Sequence, residues 1–270
     1  MADVQLPVAA NISLLFTELP LLQRINAAGV AGFSAVEVQY PYEVPAVQFK
    51  EALEAAGLPL LLLNIAAPDL AAGGPGLAAV PARQAQFDDA LQEALTYAAM
   101  VRPRYVNVLP GRLAEGVSRE QALATLTANV RAAAEAFALL RIQVLCEAIN
   151  PLDMPGFLIN TPAHLLELIA AVDHPNFAAQ LDLYHMARQG LDLPQAIHAL
   201  AGKIGHVQFA DCPGRNQPGT GGVDFGAAIQ ALREVGYSGA LAAEYRPTAS
   251  TAESLAWLAE WRSAGWITPR

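Results

Sequence analysis

Ile142-Gln-Val-Leu-Cys-Glu147 is a short apolar run that ends in a carboxylate. The same figure returns downstream in Ala179-Gln-Leu-Asp182, His206-Val-Gln208 and Leu241-Ala-Ala-Glu244. Strand-length runs that are nearly all apolar suit parallel strands buried on both faces. Outward from this stretch, strand-like runs recur at Val8–Leu14, Ala35–Gln39, Leu60–Ile65, Tyr105–Leu109, Ile142–Glu147, Ala178–Leu183, His206–Phe209 and Ala240–Glu244. Between them lie Ala- and Leu-rich stretches of helical character: Leu19–Ala28, Ala46–Ala56, Arg83–Met100, Arg119–Leu139, Pro162–Val172, Asp192–Ala201, Phe225–Val235 and Ala252–Ser263. Thr161-Pro162 reads as an N-cap with proline in the first turn, and Gly29, Gly57 and Gly236 fall where helices should stop. Eight such units in 270 residues give about 34 residues each, the size of one βα unit. The expected fold is an α/β (β/α)8 barrel, with residues 1–270 forming one domain. A doubly wound open sheet is the competitor, but no Gly-x-Gly-x-x-Gly follows the first strand.

Composition narrows the class. Hydrophobic residues make up 54% and charged residues 15%, which excludes intrinsic disorder and predicts a large buried core. Mean hydropathy of +0.30 raises the question of a membrane. The uncharged run from Ala55 to Pro68 is broken by Pro59 and Asn64 and is too short to span one. No basic segment with a following apolar core opens the chain, so no signal peptide is expected. The net charge of −9 repels phosphate backbones and disfavours nucleic acid as a partner. Cys146 and Cys212 have neither metal-site nor redox-motif spacing, and a reducing cytoplasm is the expected compartment.

A barrel places its chemistry at the C-terminal ends of its strands. Four consecutive strands end in or contain Glu147, Asp182, Gln208 and Glu244. Neighbouring strands lie about 4.8 Å apart, so their tips can converge on one small volume. Three carboxylates so placed repel one another and favour protonation unless a cation compensates. All-oxygen ligands favour a hard divalent ion, Mg²⁺ or Mn²⁺.

These residues carry a family resemblance. Ala10-Asn-Ile-Ser-Leu-Leu-Phe-Thr-Glu18, Phe33-Ser-Ala-Val-Glu37 followed by Tyr40-Pro-Tyr42, and Leu63-Asn64 leading to Gly76-Leu-Ala-Ala-Val-Pro81 resemble the hydroxypyruvate isomerase family. So do Glu147-Ala148, Gln180-Leu-Asp182 with His185, His206-Val-Gln208 with Asp211 and Pro213-Gly-Arg215, and Glu244-Tyr-Arg-Pro247. The resemblance runs from about residue 8 to 262 and implies a xylose-isomerase-like barrel. It implies that Glu147, Asp182, Gln208 and Glu244 hold one divalent metal, and that Glu147 and Glu244 exchange protons with the substrate. Related sugar epimerases carry a histidine where this chain has Gln208. The neighbouring 2-oxo-tetronate isomerases share most of these motifs.

The chemistry so implied is the interconversion of hydroxypyruvate and tartronate semialdehyde, an aldose–ketose type isomerisation by proton transfer through an enediolate. A small polar substrate, carboxylated or sugar-like, calls for basic partners. Arg215, in a turn-prone loop after strand seven, is expected to bind its carboxylate. His185 is expected to donate to a substrate oxygen. Asn11, Phe16 and Asn64 are expected to line the pocket. His206 is expected to be a hydrogen-bonded core histidine, and Cys146 to face the helix layer. Glu37 reads either as pocket wall or as part of a structural ion pair, and Asp211 either orients a metal ligand or starts the turn. The Gly-rich loop Ala66–Pro81 is a lid or an ordinary surface loop, and Gly214–Gly222 is a second Gly-rich loop, expected to order with substrate. Trp257, Trp261 and Trp266 read as core packing or as a contact of a homo-oligomer.

Three rivals stand beside this reading. A ketose 3-epimerase or 2-oxo-tetronate isomerase would use the same metal and glutamates. An abasic-site endonuclease would need a His-rich zinc site and a basic face, against five histidines and a net charge of −9. A catalytically silent sugar-binding barrel would be favoured by a missing ligand, and all four residue types are present.

Overall fold

Alternation along a strand decides which residues face a barrel's axis. In the computed structural model of the chain, which describes residues 4–269, that alternation has one plan. The strands are β1 (Val8–Asn11), β2 (Ala35–Glu37), β3 (Leu62–Asn64), β4 (Tyr105–Asn107), β5 (Gln143–Glu147), β6 (Phe177–Asp182), β7 (Ile204–Phe209) and β8 (Leu241–Ala243). All are paired in parallel, in the order β2-β1-β8-β7-β6-β5-β4-β3. Hydrogen bonds from Leu61 N to Val36 O (2.8 Å) and Val38 N to Leu62 O (3.0 Å) close β2 onto β3.

One apolar cluster joins Ala9, Ala35, Leu62, Tyr105, Leu145, Ala178 and Ala242. Two residues further along each of these strands stand Asn11, Glu37, Asn64, Asn107, Glu147, Gln180 and Glu244, every one of them buried. The barrel interior is thus apolar below and polar above. On β7 both layers of the pair are polar, His206 and then Gln208. Gly205 lets the strand pass close to its neighbours, since a Cβ there would lie 2.6 Å from Leu145 Cδ2. The larger core lies outside the strands, against the helices, and holds Cys146, Trp257 and Trp261.

The helices are α1 (Leu21–Ala31), α2 (Ala46–Ala56), α3 (Gln84–Val101), α4 (Arg119–Ala138), α5 (Pro162–Val172), α6 (Leu183–Arg188), α7 (Leu193–Ala199), α8 (Phe225–Glu234) and α9 (Ala256–Ser263). Thr161 caps α5 by accepting from His164 N, and Ser118 with Gln121 forms a reciprocal capping box at α4. Most strands are shorter than expected, and three differences have a clear local cause. Helix α1 runs through Gly29 and stops at Gly32, whose φ of 99° only glycine adopts without strain. The expected strand Val8–Leu14 ends at Asn11, because the Asn11 carbonyl turns to accept Leu14 N and Leu15 N. Helix α6 was not expected at all: Asp182 ends β6 and at once caps α6, its Oδ1 accepting Tyr184 N at 2.9 Å. No described helix is long and apolar enough to cross a membrane.

Candidate active site

The polar upper layer opens into a cavity of about 550 Å³. Asn11, Gln39, Tyr40, Asn64, Glu147, Gln180, His185, Gln208, Arg215 and Glu244 are among its lining residues. Asp182 lies just beneath, fully buried. Helix α6 explains His185: one turn after the cap at Asp182, the ring returns over the strand tips. Its Nε2 lies 3.5 Å from Glu147 Oε1 and 3.6 Å from Asp182 Oδ2. Among the described residues, Glu147, Asp182 and His185 form a cluster able to offer ligand atoms within 4.8 Å of one another.

Arg215 reaches the same space from the loop after β7. Its Nη2 lies 3.5 Å from Glu244 Oε2 and 3.8 Å from Asp182 Oδ2, and its guanidinium sits 5.1 Å from the centre of the Tyr184 ring. The backbone at Arg215 is left-handed, with φ of 59°, a conformation non-glycine residues adopt rarely. Asp211 holds the loop in that shape: it accepts Cys212 N, Val223 N and Gly219 N. Asp211 therefore organises the turn.

The carboxylates differ in their partners. Glu244 Oε1 accepts from Gln39 Nε2 at 2.9 Å, while its Oε2 is buried without a hydrogen-bond donor. Asp182 Oδ2 is likewise buried without a hydrogen-bond donor. Glu37, by contrast, is enclosed: Oε1 accepts from Asn11 Nδ2 (2.9 Å) and Gln208 Nε2 (2.7 Å), and Oε2 lies 2.7 Å from His206 Nε2. Glu37 is a structural residue beneath the site, and His206 is its buried partner. Gln208 is fixed between two neighbours, since its Oε1 accepts from Gln180 Nε2 at 2.6 Å.

Burial raises the Glu147 carboxyl well above the usual range, and the charges of Glu244 and Asp182 push it further. Burial likewise lifts Glu244 to about 8, against the opposing pull of Arg215. Desolvation works against the Arg215 charge, but Glu244, Asp182 and Glu147 together outweigh it and raise the guanidinium. Burial lowers His185 to about 4 despite the nearby Asp182. The site thus carries an excess of acceptor oxygens that its own donors leave unmet. Two buried carboxylate oxygens without donors, Asp182 Oδ2 and Glu244 Oε2, fit a hard cation.

Phe16 is not among the cavity's lining residues. Its ring packs edge-on against Phe33 and its amide donates to Thr251 Oγ1 at 2.7 Å. Asn11 and Asn64 do line the cavity, as do Arg112, Asp153, Tyr184 and Arg246, which sequence reasoning passed over. Gln180 was legible: it stands two residues before Asp182 and so faces inward. Arg112 gave no signal, because its place depends on two loops meeting. Its Nη1 donates to Leu70 O (2.7 Å) and Gly74 O (2.8 Å), pinning the Ala66–Pro81 loop as one wall of the cavity. Trp257 and Trp261 pack in the core against Phe209, the first edge-on and the second tilted.

Comparison with known proteins agrees with this architecture. Residues 24–261 match the xylose isomerase-like TIM barrel family. The 2-oxo-tetronate isomerase of Pectobacterium atrosepticum is 37% identical over 253 residues, spanning 94% of this chain and 97% of that protein. The hydroxypyruvate isomerase of Escherichia coli is 36% identical over 254 residues, spanning 94% and 98%. A crystal structure from Brucella melitensis, described as an AP endonuclease of family 2, superposes with a TM-score of 0.90 at 36% identity, over 94% of this chain and 98% of that one. The chain belongs to the xylose isomerase-like TIM barrel family, and within it stands beside isomerases.

Proposed function

We propose that the chain is a divalent-metal-dependent isomerase of small 2-oxo acids, interconverting hydroxypyruvate and tartronate semialdehyde. The observation that carries this reading is the set of three strand-tip carboxylates at the cavity floor, Glu147 and Glu244 lining it and Asp182 buried beside them, with Asp182 Oδ2 and Glu244 Oε2 lacking hydrogen-bond donors. Glu147, Asp182 and Glu244 would hold the ion, with Gln208 as the fourth oxygen once it releases Gln180. A divalent cation there supplies neutralisation of the cluster and Lewis acidity toward paired substrate oxygens.

The remaining chemistry belongs to side chains. The reaction moves one carbon-bound proton from C3 to C2, and one hydroxyl proton from O3 to O2. A carboxyl works best as acid or base when its pKa lies near the working pH; with no cation bound, burial lifts both Glu147 and Glu244 above the usual carboxylate range, and a bound ion would favour their ionised, proton-accepting form. One removes the proton from C3 and the other delivers a proton to C2. From β5 and from the residue directly after β8, the two would approach a substrate from two sides. Arg215 and His185 face the same space and stabilise charge that develops on the substrate oxygens.

The same residues serve a four-carbon 2-oxo-tetronate, and a cavity of about 550 Å³ leaves room for it. A phosphodiesterase reading fits the residues less well. Three of the five histidines, His164, His174 and His198, are absent from the cavity lining, and His206 is taken up with Glu37. Assays with hydroxypyruvate, 2-oxo-tetronates and free ketohexoses, each with Mg²⁺ or Mn²⁺, test the proposal. Turnover of a 2-oxo acid that disappears in Glu147→Gln supports it. Turnover of ketohexoses alone, or of nothing, overturns it.

A further inference from the structure

His185 has two ring nitrogens, and their surroundings differ. Nδ1 faces Asn150 in the loop after β5. Two donors point at it: the Asn150 side-chain Nδ2 at 2.8 Å and the Asn150 backbone N at 3.4 Å. A backbone N–H can only donate. The orientation of the Asn150 amide is fixed as well, because its Oδ1 accepts from the Asp153 backbone N at 2.8 Å. That leaves Nδ2 to supply two hydrogens, one to Asp153 Oδ2 at 3.1 Å and one to His185. Asp153 is itself held by Tyr184 and Arg188. Asn150 is fully buried, so no water competes for these bonds.

A nitrogen facing two donors is an acceptor and carries no hydrogen. In a neutral imidazole the hydrogen then sits on the other nitrogen. We infer that Asn150 is a positioning residue that fixes His185 as its Nε2–H tautomer, so that His185 meets the site as a hydrogen-bond donor and not as a metal ligand. The distances agree. Nε2 lies 3.5 and 3.6 Å from the Glu147 and Asp182 oxygens, too long for either to hold the hydrogen, which is left for a substrate oxygen. The Glu147–Asp182–His185 cluster, which by proximity alone resembles a three-ligand site, is on this inference two carboxylates and a donor. Only the role toward substrate rests on the isomerase reading; the tautomer does not.

The test is a long-range ¹H–¹⁵N correlation spectrum of full-length protein labelled at histidine, without metal and then with saturating Mg²⁺. The His185 signals are assigned by their loss in His185→Gln. The expected spectrum shows an unprotonated Nδ1 and a protonated Nε2, with the Nε2 hydrogen retained after Mg²⁺ is added. In Asn150→Asp an acceptor replaces the donor, and the hydrogen is expected to move to Nδ1. That variant should lose 10–100-fold in kcat with little change in KM, the usual range for residues that orient a site group. A protonated Nδ1 in the wild-type protein, or loss of the Nε2 hydrogen on adding Mg²⁺, overturns the inference, whether or not the variant folds. If no 2-oxo acid is turned over, the isomerase reading fails and the spectrum still decides the tautomer.

Discussion

The two halves of the barrel mouth are built from the same kinds of residue and behave oppositely. Strands β1 to β4 end in Asn11, Glu37, Asn64 and Asn107; strands β5 to β8 lead to Glu147, Asp182, Gln208 and Glu244. In the first half the carboxylate is enclosed, with Asn11, Gln208 and His206 around Glu37, and Asn107 Nδ2 donates to Asn64 Oδ1 at 3.2 Å. In the second half Asp182 Oδ2 and Glu244 Oε2 have no hydrogen-bond donor, only the longer-range charge of Arg215, and Glu147 faces the cavity among the charges of Glu244 and Asp182 with His185 3.5 Å away. A buried carboxylate surrounded by donors strengthens a fold, whereas several left short of donors strain it and bind what neutralises them. The first half is scaffold and the second is poised for a ligand.

Turnover separates the two halves most widely. Glu147→Gln keeps the shape and removes the proton acceptor, so kcat should fall by about 10³-fold or more with the circular dichroism spectrum unchanged. Wild-type-like kcat would take Glu147 out of the proton-transfer role.

Next comes pH. The Glu147 and Glu244 carboxyls are raised in the folded protein, Glu244 from 4.5 to about 8. A raised carboxyl contributes stability that is fully present below its unfolded value and lost as the pH climbs through its folded value. The metal-free protein should therefore melt at progressively lower temperature from pH 4.5 to about 8. Saturating Mg²⁺ or Mn²⁺ should flatten that decline, and so, in part, should Glu147→Gln without metal. A thermal-shift series at several pH values that shows no slope without metal would count against unmet carboxylates.

Glu37→Gln sharpens the contrast from the other side. Replacing an oxygen that Asn11, Gln208 or His206 faces with an NH₂ group should destabilise the fold by about 1–3 kcal/mol, with or without metal. Urea unfolding measures it. If Glu37→Gln stabilises the metal-free protein, Glu37 belongs with the strained half. The smallest effect is expected at Asn107→Ala, which loses the bond to Asn64 and also an unpaired Oδ1. The loss should be about 1 kcal/mol, with metal affinity unchanged.

Much of this division was readable from the chain. The apolar runs of β5, β6 and β8 are bounded by carboxylates, and period-two spacing already told which side chains share the interior. Gln208 came with His206 by the same spacing. Glu37 stayed ambiguous because one strand does not reveal that Asn11, His206 and Gln208 converge on it. Helix α6 was hidden because six residues, Leu183–Arg188, carry too little periodicity to register. Asn150 and Arg112 were out of reach for another reason: each acts through loops that meet only in the folded barrel. Phe16 followed a strand end in sequence, yet the turn at Asn11 carries it away from the cavity and onto Phe33.

The most direct test of the second half as a cation site is calorimetric titration of Mn²⁺ into chelator-treated protein at pH 7.5. We expect one ion per chain in the wild-type protein, and loss of that binding in Asp182→Asn, whose nitrogen cannot replace a ligand oxygen. Absence of stoichiometric binding, or unchanged binding in Asp182→Asn, would contradict the account.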